Sequence, residues 1–118
     1  MSAAEPHALE RFATVRQWLD NTPATGLRPA DERARKLAVL AEFCAYVGCD
    51  PDTLIESARG STDVKNAYLK QLVAWAAGLP RAPRGRHDAE NTVRGFFMRN
   101  GFRVVARPYR DVYTRKPE

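Results

Sequence analysis

Apolar side chains recur along this chain at helical rather than strand spacing. Leu9, Phe12, Val15 and Leu19 stand three or four residues apart, with Trp18 at the edge of the stripe, and predict one amphipathic helix from about Pro6 to Asp20. The run "NTPATGLRP" breaks it. Pro29 suits the first position of a second helix, Asp31 and Glu32 suit the positive end of its dipole, and Leu37, Leu40, Cys44 and Val47 form its core stripe as far as a stop at Gly48. The apolar arc also takes in Val39, Phe43 and Tyr46, leaving Arg35 and Glu42 opposite, the width of a central helix packed on several sides.

In "CDPDTLIESARG", Asp50 is an N-cap and Pro51 a first-turn residue, which predicts a short third helix ending before Gly60. Ser61 or Thr62 caps a fourth, whose Val64, Tyr68, Leu72, Trp75 and Leu79 share one face. The stretch "GLPRAPRGRHD" holds two prolines, two glycines and three arginines and predicts an exposed, non-helical loop. A fifth helix is expected from near Asp88 to Gly101, with Val93, Phe96 and Phe97 inward. Only the tail from Phe102 is strand-like. The pattern therefore predicts an all-α bundle of four to five helices with an extended C-terminal tail.

Composition narrows the function classes. With 118 residues the chain fits one domain, and no apolar run approaches the ~20 residues that span a bilayer. The N-terminus lacks the apolar core of a signal peptide, so a cytoplasmic protein is expected. Charge is unevenly distributed: residues 1–80 carry 9 Lys and Arg against 10 Asp and Glu, whereas residues 81–118 carry 10 against 4. The last third thus holds the whole excess of +5, which points to a polyanionic partner, a solubilising surface being the bland alternative.

Catalytic and metal signatures are sparse. Cys44 and Cys49 lack a C-x-x-C or His/Cys framework and read as small core fillers, and His7 and His87 have no Ser, Cys or carboxylate at a spacing that makes a triad. Phosphate-loop, zinc-protease and EF-hand motifs are absent from the sequence. No catalytic residue, metal or cofactor is assigned, and a non-enzymatic chain is expected.

Gly95 raises a separate question, because glycine inside a helix costs about 1 kcal/mol relative to alanine. On a helical wheel Asn91, Thr92, Arg94, Met98 and Arg99 surround it on the outward arc, a bare spot that would let a phosphate backbone come close. A notch for a neighbouring helix is the other reading, and Glu90 is an i,i+4 partner for Arg94. In the second helix Asp31 with Arg35 and Glu32 with Lys36 are similar pairs, leaving Arg33 as the cation without such a partner.

The sequence of pieces, from "LAVLAEFCAYVGCDPDTLIE" through "AYLKQLVAWAAG" to a basic loop and "AENTVRGFFMRNGFRV", resembles the SAM-like core-binding domain of tyrosine recombinases, the phage and archaeal integrases. The carriers are an L-x-x-F seam at Leu40 and Phe43, the turn from Asp50 to Leu54, and Arg94 before Phe96 and Phe97, followed by Asn100 and Gly101. Where family members often place Ser or Thr at the start of the second helix, this chain has Asp31 and Glu32. The resemblance implies a core-binding domain over residues 1–103 and a basic linker over 104–118 leading to a catalytic domain absent from this chain. It also implies duplex DNA as partner, leaves open a homo-oligomer on DNA, and places the chain with the nucleoid.

On that reading Arg33, Lys36, Arg84, Arg86, Arg94, Arg99, Arg107 and Arg110 contact phosphates, Gly95 admits the backbone, and Asn91 reaches a base edge. Tyr109 and Tyr113 lie in the tail without a general acid or base grouped with them and are not expected to act as nucleophiles. A helical protein-interaction domain is the alternative. A helix-turn-helix regulator is disfavoured by the long proline-containing breaks.

Overall fold

Capping residues and glycines set the helix boundaries. The computed structural model describes residues 6–21 and 29–104. It is all-α: a 3-10 turn at Pro6–Arg11 precedes α1 (Ala13–Asp20), α2 (Pro29–Val47), α3 (Pro51–Gly60), α4 (Thr62–Ala77) and α5 (Pro83–Arg99). Among the described residues there is no strand, and no helix is long and apolar enough to cross a membrane. The Asp50 carboxylate accepts the Thr53 N–H at 2.7 Å and starts α3, and Ser61 Oγ accepts from Val64 at 3.3 Å and starts α4. At the end of α2 the N–H groups of Gly48 and Cys49 both close on the Cys44 carbonyl, at 2.8 and 3.2 Å. This reversal needs a left-handed residue, and Gly48 supplies it with φ +84°.

Two sequence expectations are corrected. The single first helix is divided at Phe12, whose backbone is extended, and α1 begins only at Ala13. The cause is a cap from outside: Asp52 of α3 accepts the Thr14 backbone N–H at 3.1 Å and is also bonded by the Thr14 hydroxyl. A carboxylate at that point satisfies an orphan donor and complements the dipole of α1, so the helix starts where α3 offers it. The second correction concerns "GLPRAPRGRHD", whose latter half is helical. Pro83 occupies the first turn of α5, where its missing N–H costs nothing, and the helix runs through Gly85 five residues ahead of the expected start.

The core forms between α2, α5 and the elements packed on them, with α3 joined through α4 and α1. Helix α2 contacts the 3-10 turn, α4 and α5, and α5 contacts α1, α2 and α4, so these two helices carry the bundle. Phe43, Leu40 and Leu37 from α2 and Phe96, Phe97 and Val93 from α5 are fully buried, with Trp18 and Val15 of α1 beside them. The aromatic rings meet edge to face, Trp18 with Phe96 at 5.5 Å and Phe43 with Trp75 at 5.3 Å, the arrangement favoured by their quadrupoles. Val47 packs against this core, whereas Tyr46, placed on the apolar arc by the sequence, is 52% exposed with its ring stacked on Phe43. Cys44 is buried in the core and Cys49 half-buried against it, both as free thiols.

Candidate nucleic-acid interface

Helix α5 presents one continuous outer face. Arg84, Asp88, the adjacent pair Asn91 and Thr92, Gly95 and Arg99 are set three or four residues apart along the helix, so they share a side of it over roughly 22 Å. Across from them α2 contributes Arg35 and Lys36, and the two helices enclose an open groove of about 420 Å³. Trp18 from α1 lies at its base and Met98 on its rim. Among the described residues, three cations, Arg35, Lys36 and Arg99, line the groove against one carboxylate, Asp88.

The polar groups of the groove are partly linked across it. Arg35 Nη1 stands 3.4 Å from Thr92 Oγ1, and that hydroxyl donates to the Asp88 carbonyl at 2.7 Å, one turn back on α5. The Asn91 amide meets His87 Nε2 at 3.0 Å. Lys36 pairs with Glu32 at 3.5 Å, as the i,i+4 spacing predicts. Arg99 is exposed and makes no ion pair with a described residue.

Gly95 has both of the neighbours that its sequence context left open. It lines the groove, and a Cβ built on it would sit 3.6 Å from Trp18 Nε1, an ordinary van der Waals distance. The absence of a side chain therefore opens the groove down to the indole edge, while leaving room for one methyl group.

The other sequence-derived positions divide. Arg94 is corrected from the outward arc to the interior: it is 9% exposed, and its guanidinium binds the Glu90 carboxylate through Nε and Nη2, both at 2.9 Å. The reason is helical phase, since position 94 follows Val93 into the core side and can be buried only with its i,i+4 counter-ion. Arg33 is corrected from unpartnered to paired, its Nε lying 2.8 Å from Glu10 Oε2 on the 3-10 turn. That pair is solvent-exposed and worth about 0–1 kcal/mol, so a phosphate can compete for the arginine. Arg86 is corrected from a loop to α5, where it donates to the Leu79 carbonyl at 3.0 Å and closes the end of α4. Arg84, also placed in the loop by the sequence, is exposed on the first turn of α5. Arg107 and Arg110, with Tyr109 and Tyr113, lie outside the described residues.

Trp18 and Arg35 were not singled out by the sequence. Trp18 read as the edge of an apolar stripe, and Arg35 as half of a local pair with Asp31. Only the packing of α1 beneath α5 and of α2 beside it brings both to the groove.

The described residues hold no cluster of three or more His, Cys, Asp or Glu arranged to bind a metal. Burial pushes the Cys44 thiol up to about 12, with Cys49 and Asp50 adding to the effect, and burial raises Cys49 as well. Neither thiol is in the activated, thiolate form that nucleophilic chemistry requires. No family model matches this chain, and no curated protein or solved structure matches it either.

Proposed function

We propose that the chain is a DNA-binding module, the core-binding domain of a tyrosine recombinase or integrase, which clamps duplex DNA at a recombination site while a separate catalytic domain cuts and rejoins the strands. The observation that carries the DNA-binding part is the cationic groove between α2 and α5, with Gly95 in its lining above the Trp18 indole. Arg35, Lys36 and Arg99 neutralise phosphates, Arg84 extends the same face, and Gly95 lets a strand approach the helix. Asn91 reaches a base edge once its amide leaves His87. The recombinase assignment rests on the sequence resemblance, with the all-α fold agreeing at the level of class. In this role the chain itself is not an enzyme and works at the nucleoid.

Titration of the chain with duplex DNA over a salt series tests the proposal. With ~5 phosphates neutralised, log K falls with log[salt] at a slope of about −4 to −5. Binding that is the same at about 50 and about 300 mM salt would overturn it. The exposed apolar side chains Tyr46 and Val73 favour a protein partner as the second reading, and salt-independent behaviour is what that reading expects.

A further inference from the structure

We propose that Arg59 and Arg99 form a second phosphate seat, which carries the DNA path beyond the groove and over the C-terminal end of α5. This rests on the DNA-binding reading. A second open hollow, of about 440 Å³, lies where α1, α3 and α5 meet, and it is lined by Thr14, Gln17, Arg59, Arg99 and Asn100. Among the described residues no carboxylate lines it. Asp52, which bonds Thr14 from α3, is already engaged as the cap of α1.

Arg59 is exposed, and its Nη2 donates to the Asn100 carbonyl at 3.0 Å. A guanidinium has five N–H donors, and no other hydrogen bond or ion pair joins Arg59 to a described residue. The one bond it makes holds the planar group in place, so less side-chain entropy is lost when a phosphate is taken up. Asn100 provides the rigid base: its amide donates to the Thr14 carbonyl at 3.1 Å and the Phe96 carbonyl at 2.8 Å, fastening α1 to α5. The Gln17 amide adds a neutral donor.

Arg99 lines both hollows and connects them. Gln17 and Trp18 are neighbours on α1, one lining each hollow, so the two hollows adjoin along that helix. From Asn91 to Arg99 the α5 face runs about 12 Å, the axial rise of three to four phosphates of one strand at about 3.4 Å each. A strand seated in the groove thus reaches Arg99 and then Arg59.

Capping of α5 alone is the competing role for Arg59, and the salt slope separates the two. Anisotropy titrations of duplex DNA with the chain and its Arg59→Gln, Arg99→Gln and double variants are compared over a salt series, with Arg35→Gln as the groove control. Glutamine keeps a donor for the Asn100 carbonyl and removes the charge. The expected result is a slope shallower by about one for each single variant and about two for the double. A wild-type slope in Arg59→Gln, whether or not affinity falls, overturns the second seat; a shallower slope in Arg35→Gln in the same experiment leaves the groove reading standing. Absence of salt-dependent binding in the unmodified chain overturns both.

Discussion

At Gly95 the same atom position bears on helix stability and on access to the groove. Alanine is the better helix former, and the added methyl meets Trp18 Nε1 only at van der Waals distance, so Gly95→Ala is expected to raise stability by up to about 1 kcal/mol. Its DNA affinity should fall, and Gly95→Leu should bind more weakly still, because its side chain occupies the space over the indole. Thermal melts and DNA titrations of both variants check this; a destabilised Gly95→Ala with unchanged affinity would show the glycine to be a packing notch. At Cys44 burial favours the neutral thiol, lifting it from 9.0 to about 12. The folded chain then holds its proton more tightly than the unfolded chain, so the contribution is fully present below about pH 9 and is lost as pH rises from 9 towards 12. Urea unfolding at stepped pH should show stability dropping across that window, and Cys44→Ala should flatten the drop; parallel curves for the two proteins would contradict it.

At the scale of elements, helix α5 shows how a sequence can hide its own beginning. A run with two prolines and two glycines reads as a loop, yet a first-turn proline is compatible with a helix, and packing of α5 on α1, α2 and α4 outweighs the cost of Gly85. The same helix places Arg94 inside, which changes what its removal does. Arg94→Ala removes the 2.9 Å ion pair to the buried Glu90 carboxylate and is expected to cost about 3 kcal/mol of stability. The salt slope of DNA binding by the folded fraction should stay at its unmodified value. A stable Arg94→Ala with a slope shallower by about one would instead place Arg94 on the DNA.

Over the whole molecule, most of the helical plan was legible in the sequence because its boundaries are made locally. Asp50, Pro51, Ser61, Gly48 and Gly78 each act within a few residues, and the helices they delimit agree with the pattern. What the pattern missed depends on contacts between distant residues. Phe12 could not be recognised as a break without knowing that Asp52 caps Thr14, and Arg33 could not be paired without Glu10 across the 3-10 turn. The groove was half legible. Asn91, Gly95 and Arg99 could be read as one face of the fifth helix and Lys36 as a cation near the start of the second, whereas Trp18 and Arg35 join them only through packing. Charge asymmetry marks the C-terminal third of the chain, whereas the α2 side of the groove, where acids and bases nearly cancel in the sequence, carries no such mark.

The cap that Asp52 lends to α1 also orders events in time. An eight-residue helix without a cap of its own is well below the length at which helices persist alone in water. Its start waits on a residue 38 positions later, and its buried side waits on α5, synthesised last of the described helices. The expected order therefore has α1 docking late, after α3 and α5 have each packed on α4. In pulse-labelling hydrogen exchange during refolding, the amides of Val15 to Leu19 should gain protection after those of α4; earlier or simultaneous protection would show α1 to be part of the nucleus. A ribosome-bound chain lacking α5 would have Trp18 uncovered, and the basic groove would come into being only as synthesis passes the end of that helix.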